Sequence, residues 1–69
     1  MGMVDVSSVP ATITLTNVSD RAVRVQMYKE TITCLIEPGD TLKIEVENSA
    51  EFLYFKSLAS TELTVSVAE

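Results

Sequence analysis

Sixty-nine residues suffice for one small domain and exclude a second core, since ordinary domains run to about 100–150 residues. Ten acids against five bases give a net charge of −5, which disfavours nucleic acid and anionic membrane surfaces as partners because both carry the same sign. One cysteine and no histidine exclude an internal disulfide and the usual zinc ligand sets.

A domain this small is marginal without a disulfide, a metal or a partner subunit. With the first two gone, a homo-oligomer, or a complex with another protein, is the expected remedy. The apolar fraction of 46% is globular, so the body of the chain should fold rather than remain disordered. No apolar run approaches the ~20 residues of a membrane helix, and "MGMVDVSSVP" lacks the charged flank and apolar core of a secretory signal. The expectation is a cytoplasmic protein with no cofactor.

Residues 1–9 read as a loose arm or, through "MVDVS", a short edge strand. From there strand periodicity dominates. "ATITLTN" sets Ile13 and Leu15 on one face and Thr12, Thr14 and Thr16 on the other, the two-residue alternation of a half-buried strand. "NVSD" follows as a turn, because Asn, Ser and Asp side chains bond their own backbone. "RAVRVQMY" then points Val23, Val25 and Met27 inward and Arg24, Gln26 and Tyr28 outward. In "TITCLIE" the inward set is Ile32, Cys34 and Ile36, with Leu35 the one apolar residue facing out.

Pro38 and Gly39 supply the preset φ and the positive φ of a tight turn. Beyond them "TLKIEVE" alternates Leu42, Ile44 and Val46 with Thr41, Lys43, Glu45 and Glu47. "NSAE" reads as another turn. "EFLYFKSL" reads as a strand with apolar residues on both faces, Phe52 and Tyr54 on one and Leu53 and Phe55 on the other. "TELTVSVAE" closes the chain with Leu63, Val65 and Val67 inward. The expected fold is all-β: a small antiparallel β-sandwich, immunoglobulin-like or jelly-roll-like, of six to seven short strands in one domain. The phrases "LTNVSDRAVRV" and "IEPGDTLKIEV" resemble, in pattern, bacterial immunoglobulin-like sandwiches.

Catalytic residue types are thin. Cys34 has no histidine to activate it, and strand parity places it inward as a small hydrophobe. The acids Glu45 and Glu47 share a strand face but form no calcium loop, and a chain of this size has little room for a substrate cleft. An enzyme is therefore not expected. The threonine rows suit an exposed strand, and the Asn17-Val18-Ser19 sequon matters only in a secreted protein.

The aromatic stretch 52–55 carries the leading functional expectation. A strand apolar on both faces must be covered on both, and one thin sandwich covers only the inner one. Phe52, Leu53, Tyr54 and Phe55, with Leu35, are the interface candidates. Burying two such side chains between subunits would contribute about 3–5 kcal/mol before association costs. The chain is thus expected to be a structural or interaction module that self-associates, as small bacterial or phage assembly subunits do. The alternative is a carbohydrate-binding module with Tyr28 or Tyr54 as stacking platform.

Overall fold

The computed structural model describes residues 9–68; the arm or strand expected at 1–9 lies, apart from Val9, outside the described residues. Five strands and one helix follow in order: β1 Ala11–Asn17, β2 Val23–Gln26, β3 Thr33–Ile36, β4 Thr41–Val46, α1 Ser49–Lys56 and β5 Leu63–Ala68. They form a three-stranded sheet of order β4-β1-β5 and a two-stranded sheet β2-β3. Every pairing is antiparallel.

β1 is the central strand, and its alternation of fully buried and half-buried residues runs without a break from Ala11 to Asn17. Its apolar face meets β4 and β5 in register: Ile13 lies opposite Ile44 and Val67, Leu15 opposite Leu42 and Val65. The polar face joins Thr14 to Lys43 and Ser66, and Thr16 to Thr41 and Thr64. Thr33 belongs to the smaller sheet, apart from the threonine row of β1. One core draws Ile13, Leu15, Ile44, Val46 and Leu63 from the larger sheet, Val25 and Ile36 from the smaller, and Phe52 and Phe55 from the helix.

The strand expected at 52–55 is a helix, and the reason is local. Asn48 is its N-cap, with Oδ1 accepting from the Glu51 amide at 2.8 Å. An Asn followed three residues later by Glu is the sequence signature of a helix start, stronger than the turn reading of "NSAE". Residues 49–56 contain no β-branched side chain, so the aromatic residues alone favour extended backbone, against Ala50, Glu51, Leu53 and Lys56, which favour helix. Glu51 in the first turn and Lys56 in the last complement the helix dipole. At helical spacing Phe52 and Phe55 fall on one face, and both are buried.

The smaller sheet is shorter than expected. Met27 N donates to Ile32 O at 3.0 Å, and between them the backbone turns through Lys29 at φ 57°, the left-handed region that costs a non-glycine residue about 1 kcal/mol. Ile32, expected inward, is consequently 59% exposed. Tyr28, expected outward, packs half-buried against the core. Cys34 does face the core side, opposite Val25, yet is only half-buried.

The polar centre of the fold is Asn17, the single buried polar residue among those described, at 0% exposure. Its Nδ2 donates to the carbonyls of Arg21 at 2.7 Å and Ile36 at 2.8 Å. Its Oδ1 accepts from Ser19 N at 2.9 Å and Ser19 Oγ at 2.7 Å. Both amide protons and both lone pairs are in use. Its main chain is used too: Asn17 N donates to Asp40 O at 3.0 Å, and Gly39 N donates to Asn17 O at 2.8 Å. Gly39 sits at φ +83° with nothing within 4 Å of a Cβ built there, so backbone conformation alone selects glycine.

Replacing Asn17 with Ala leaves the buried Ile36 carbonyl without its donor and takes one of two donors from the part-buried Arg21 carbonyl, and a buried loss of this kind costs about 1–3 kcal/mol. Asn17→Ala should therefore lower the free energy of unfolding in urea by about 2–4 kcal/mol, and Asn17→Asp should do no better because a carboxylate has no proton to give. A loss within about 0.5 kcal/mol, the range of neutral surface changes, would show that the amide does not hold the two sheets.

Candidate binding surfaces

The turn 27–32 and helix α1 meet at one end of the molecule. β1 begins there, because Ala11 pairs with Val46, and Val46 leads through the Asn48 cap into α1. Tyr54 reaches from the helix to the smaller sheet, its Oη donating to Gln26 O at 2.7 Å. Its ring lies 5.4 Å from that of Tyr28 at 47° and 5.0 Å from Phe55 nearly edge-on at 77°. Gln26 Nε2 donates to Glu30 O at 2.9 Å and braces the turn.

These residues line an open groove of ≈ 500 Å³ walled by Gln26, Met27, Tyr28, Lys29, Glu30, Thr31 and Tyr54. The two tyrosines named from the sequence as stacking candidates are thus brought together. Two tilted aromatic rings with one ammonium and one carboxylate in the lining combine apolar ring surface with polar groups. The signal for this pairing was absent from strand parity, which set Tyr28 outward and Tyr54 on a strand. It lay in the helix, which swings Tyr54 away from Phe52 and toward β2.

The interface candidates separate. Phe52 at 3% and Phe55 at 0% exposure are sealed by the chain itself, while Leu53 at 52% and Leu35 at 56% stand open to solvent. Tyr54 is half-buried in the groove. Leu35 belongs to the outer face of β3 and Leu53 to the outer face of α1, so the aromatic stretch no longer forms one continuous apolar surface. Strand order decides which edges stand open. Among the described residues, β4 and β5 each have one side unpaired, and so do β2 and β3.

A second, smaller groove of ≈ 180 Å³ lies between Pro10, Ala11, Thr12, Glu45 and Glu47. Among the described residues, no group of three His, Cys, Asp or Glu side chains is placed to hold a metal ion. The sequon asparagine is Asn17, whose Nδ2 is fully engaged inside the fold, so the folded chain presents no glycan acceptor there. No helix among the described residues is long and apolar enough to cross a membrane. Compared with protein-family models, curated proteins and solved structures, the chain shows no significant match.

Phe55→Ala should cost about 3–5 kcal/mol of stability, the usual loss for a buried aromatic, and Leu53→Ala within about 0.5 kcal/mol, as for an exposed site. Denaturant titration of the two variants at low protein concentration checks this. Equal losses would mean that Leu53 is covered in solution.

Proposed function

We propose that the chain is a non-enzymatic structural or protein-interaction module, a small antiparallel β-sandwich that self-associates. The sandwich reading is supported by the single core shared between the two sheets. Antiparallel sheets stacked face to face with interdigitating inner side chains are the ordinary way to build such a core. The observation that carries self-association is the set of unpaired strand edges on both sheets. An open edge presents a row of backbone donors and acceptors that another chain can satisfy, and stable small β-proteins cover or pair them. Leu35, 56% exposed on the smaller sheet, adds apolar area next to one of those edges.

The contact surface in this reading differs from the one the sequence suggested. Phe52 and Phe55 complete the chain's own core, so their burial needs no second copy. Association instead runs through backbone edges with Leu35 and Leu53 as apolar contributors. Light scattering coupled to size exclusion, at several concentrations, should give a mass at least twice the 7.5 kDa of one chain. A monomer throughout that series would overturn self-association.

A second reading has its own support in the Tyr28–Tyr54 groove: a ligand-binding module for carbohydrate, in which a sugar ring stacks on one tyrosine face and its hydroxyls meet Lys29, Glu30 and Thr31. Titration of intrinsic tyrosine fluorescence with a panel of oligosaccharides should show saturable quenching that Tyr28→Ala abolishes. A flat response across chemically diverse sugars would leave the groove a structural contact between turn and helix.

A further inference from the structure

We propose that two copies of this chain pair through the open edge of β4, antiparallel and about a two-fold axis at Ile44, so that their three-stranded sheets join into one. This rests on the self-association reading above and names which of the open edges carries it.

The bonding of β1 shows which backbone groups β4 has to offer. Asn17 N donates to Asp40 O at 3.0 Å and Val18 N to Glu62 O at 2.9 Å, so along β1 the odd-numbered residues turn their backbone groups toward β4 and the even-numbered ones toward β5. In the observed register the odd-numbered Leu15, Ile13 and Ala11 meet Leu42, Ile44 and Val46. Those three residues of β4 are therefore bonded to β1, and Thr41, Lys43 and Glu45 present their N–H and C=O groups to the open side. The side chains of all three are exposed.

Charged residues ordinarily protect a strand edge from a second copy. Here the two charges are opposite in sign, two residues apart and on one face. A two-fold axis at Ile44 sets Lys43 opposite the partner's Glu45 and Glu45 opposite the partner's Lys43, and opposite charges that face each other across an antiparallel pair stabilise it. The same positions carry the free backbone groups, so each facing pair also exchanges ladder hydrogen bonds. On the core face Ile44 meets its own counterpart, and the half-buried Leu42 meets the partner's Val46. Moving the axis to Lys43 or to Glu45 would face that residue with its own copy, and a slip of one residue would turn the apolar face to solvent. The charges and the apolar face thus select one register.

Within the chain, the strand beside these charges leaves them uncompensated: Lys43 lies opposite Thr14 and Glu45 opposite Thr12. Glu45 and Glu47 both line the smaller groove with Pro10, Ala11 and Thr12, and the partner's Lys43 would approach this pair of carboxylates from the open side. Among the described residues no other open edge matches itself in this way, since β3 and β5 contain no charged residue and β2 contains only Arg24. A chain of net charge −5 repels its own copy at long range, which favours the one edge whose local charges attract.

Charge reversal tests the contact between chains. Lys43→Glu and Glu45→Lys should each raise the dissociation constant of the homodimer about 10- to 100-fold, read by light scattering and sedimentation over a concentration series, with circular dichroism confirming that each variant is folded. Glu45→Lys should weaken association even though it makes the chain less negative, a change that acting through net charge alone would strengthen it. Mixing the two variants in equal amounts should restore the dimer, because both facing pairs in the mixed dimer are again opposite in sign. Wild-type protein that stays monomeric throughout the series overturns self-association and this contact together. A wild-type dimer that either reversal leaves unchanged, or that the mixture fails to restore, overturns the β4 contact alone and leaves association to another edge.

Discussion

The fold depends on one side-chain amide. Asn17 closes the central strand β1 at the point where the chain passes from the larger sheet to the smaller, and it bonds to both connections between the sheets. Its Nδ2 holds the carbonyl of Arg21 in the outgoing link and that of Ile36 at the end of β3. Its backbone pairs with Gly39 and Asp40 in the returning one. Hydrophobic burial is non-directional and would accept many relative placements of two small sheets. A fully satisfied polar group inside that core accepts very few, because any shift leaves a donor or acceptor stranded. The amide therefore contributes specificity beyond its net free energy, and among the described residues no buried side-chain nitrogen or oxygen lacks a partner.

At the opposite end the aromatic helix does the complementary work. Asn48 stops the strand and starts α1, Phe52 and Phe55 fill the end of the core, and Tyr54 ties the helix to β2 through the Gln26 carbonyl. Burial of the two phenylalanines contributes about 1.5–3 kcal/mol each by area, which is large for a chain with a single cysteine and, among its described residues, no cluster of three metal-ligating side chains. The same helix shapes the Tyr28–Tyr54 groove, so the element that completes the core also brings the two tyrosines together.

Strand alternation made β1, β4 and β5 legible almost to the residue, because each buries one face and the two-residue period is unambiguous there. It failed where the period was mistaken. "EFLYF" has no polar face at a spacing of two, which suggested a strand covered by a partner; at the helical spacing Phe52 and Phe55 align and Leu53 turns outward. The cap at Asn48 was the local signal that could have decided between them. Parity also misplaced Tyr28 and Ile32, since the strand ends at Gln26 and the left-handed Lys29 breaks the alternation. The burial of Asn17 had no sequence signature: in "NVSD" it looked like any turn residue, and only the long-range carbonyl of Ile36 distinguishes it. The groove and the open edges depend on tertiary placement and so were not readable from the chain.

The saturation of Asn17 also constrains how this protein can drift. Glutamine would carry the amide one methylene too far, aspartate and serine would each lack a needed donor, and histidine would not fit a fully enclosed position. Distant relatives should therefore be recognisable less by overall identity than by an asparagine closing the first long strand, with a hydroxyl residue two places on and a Pro-Gly-Asp bend before the fourth. Chains that keep this triplet while varying their surfaces freely would share the same internal latch.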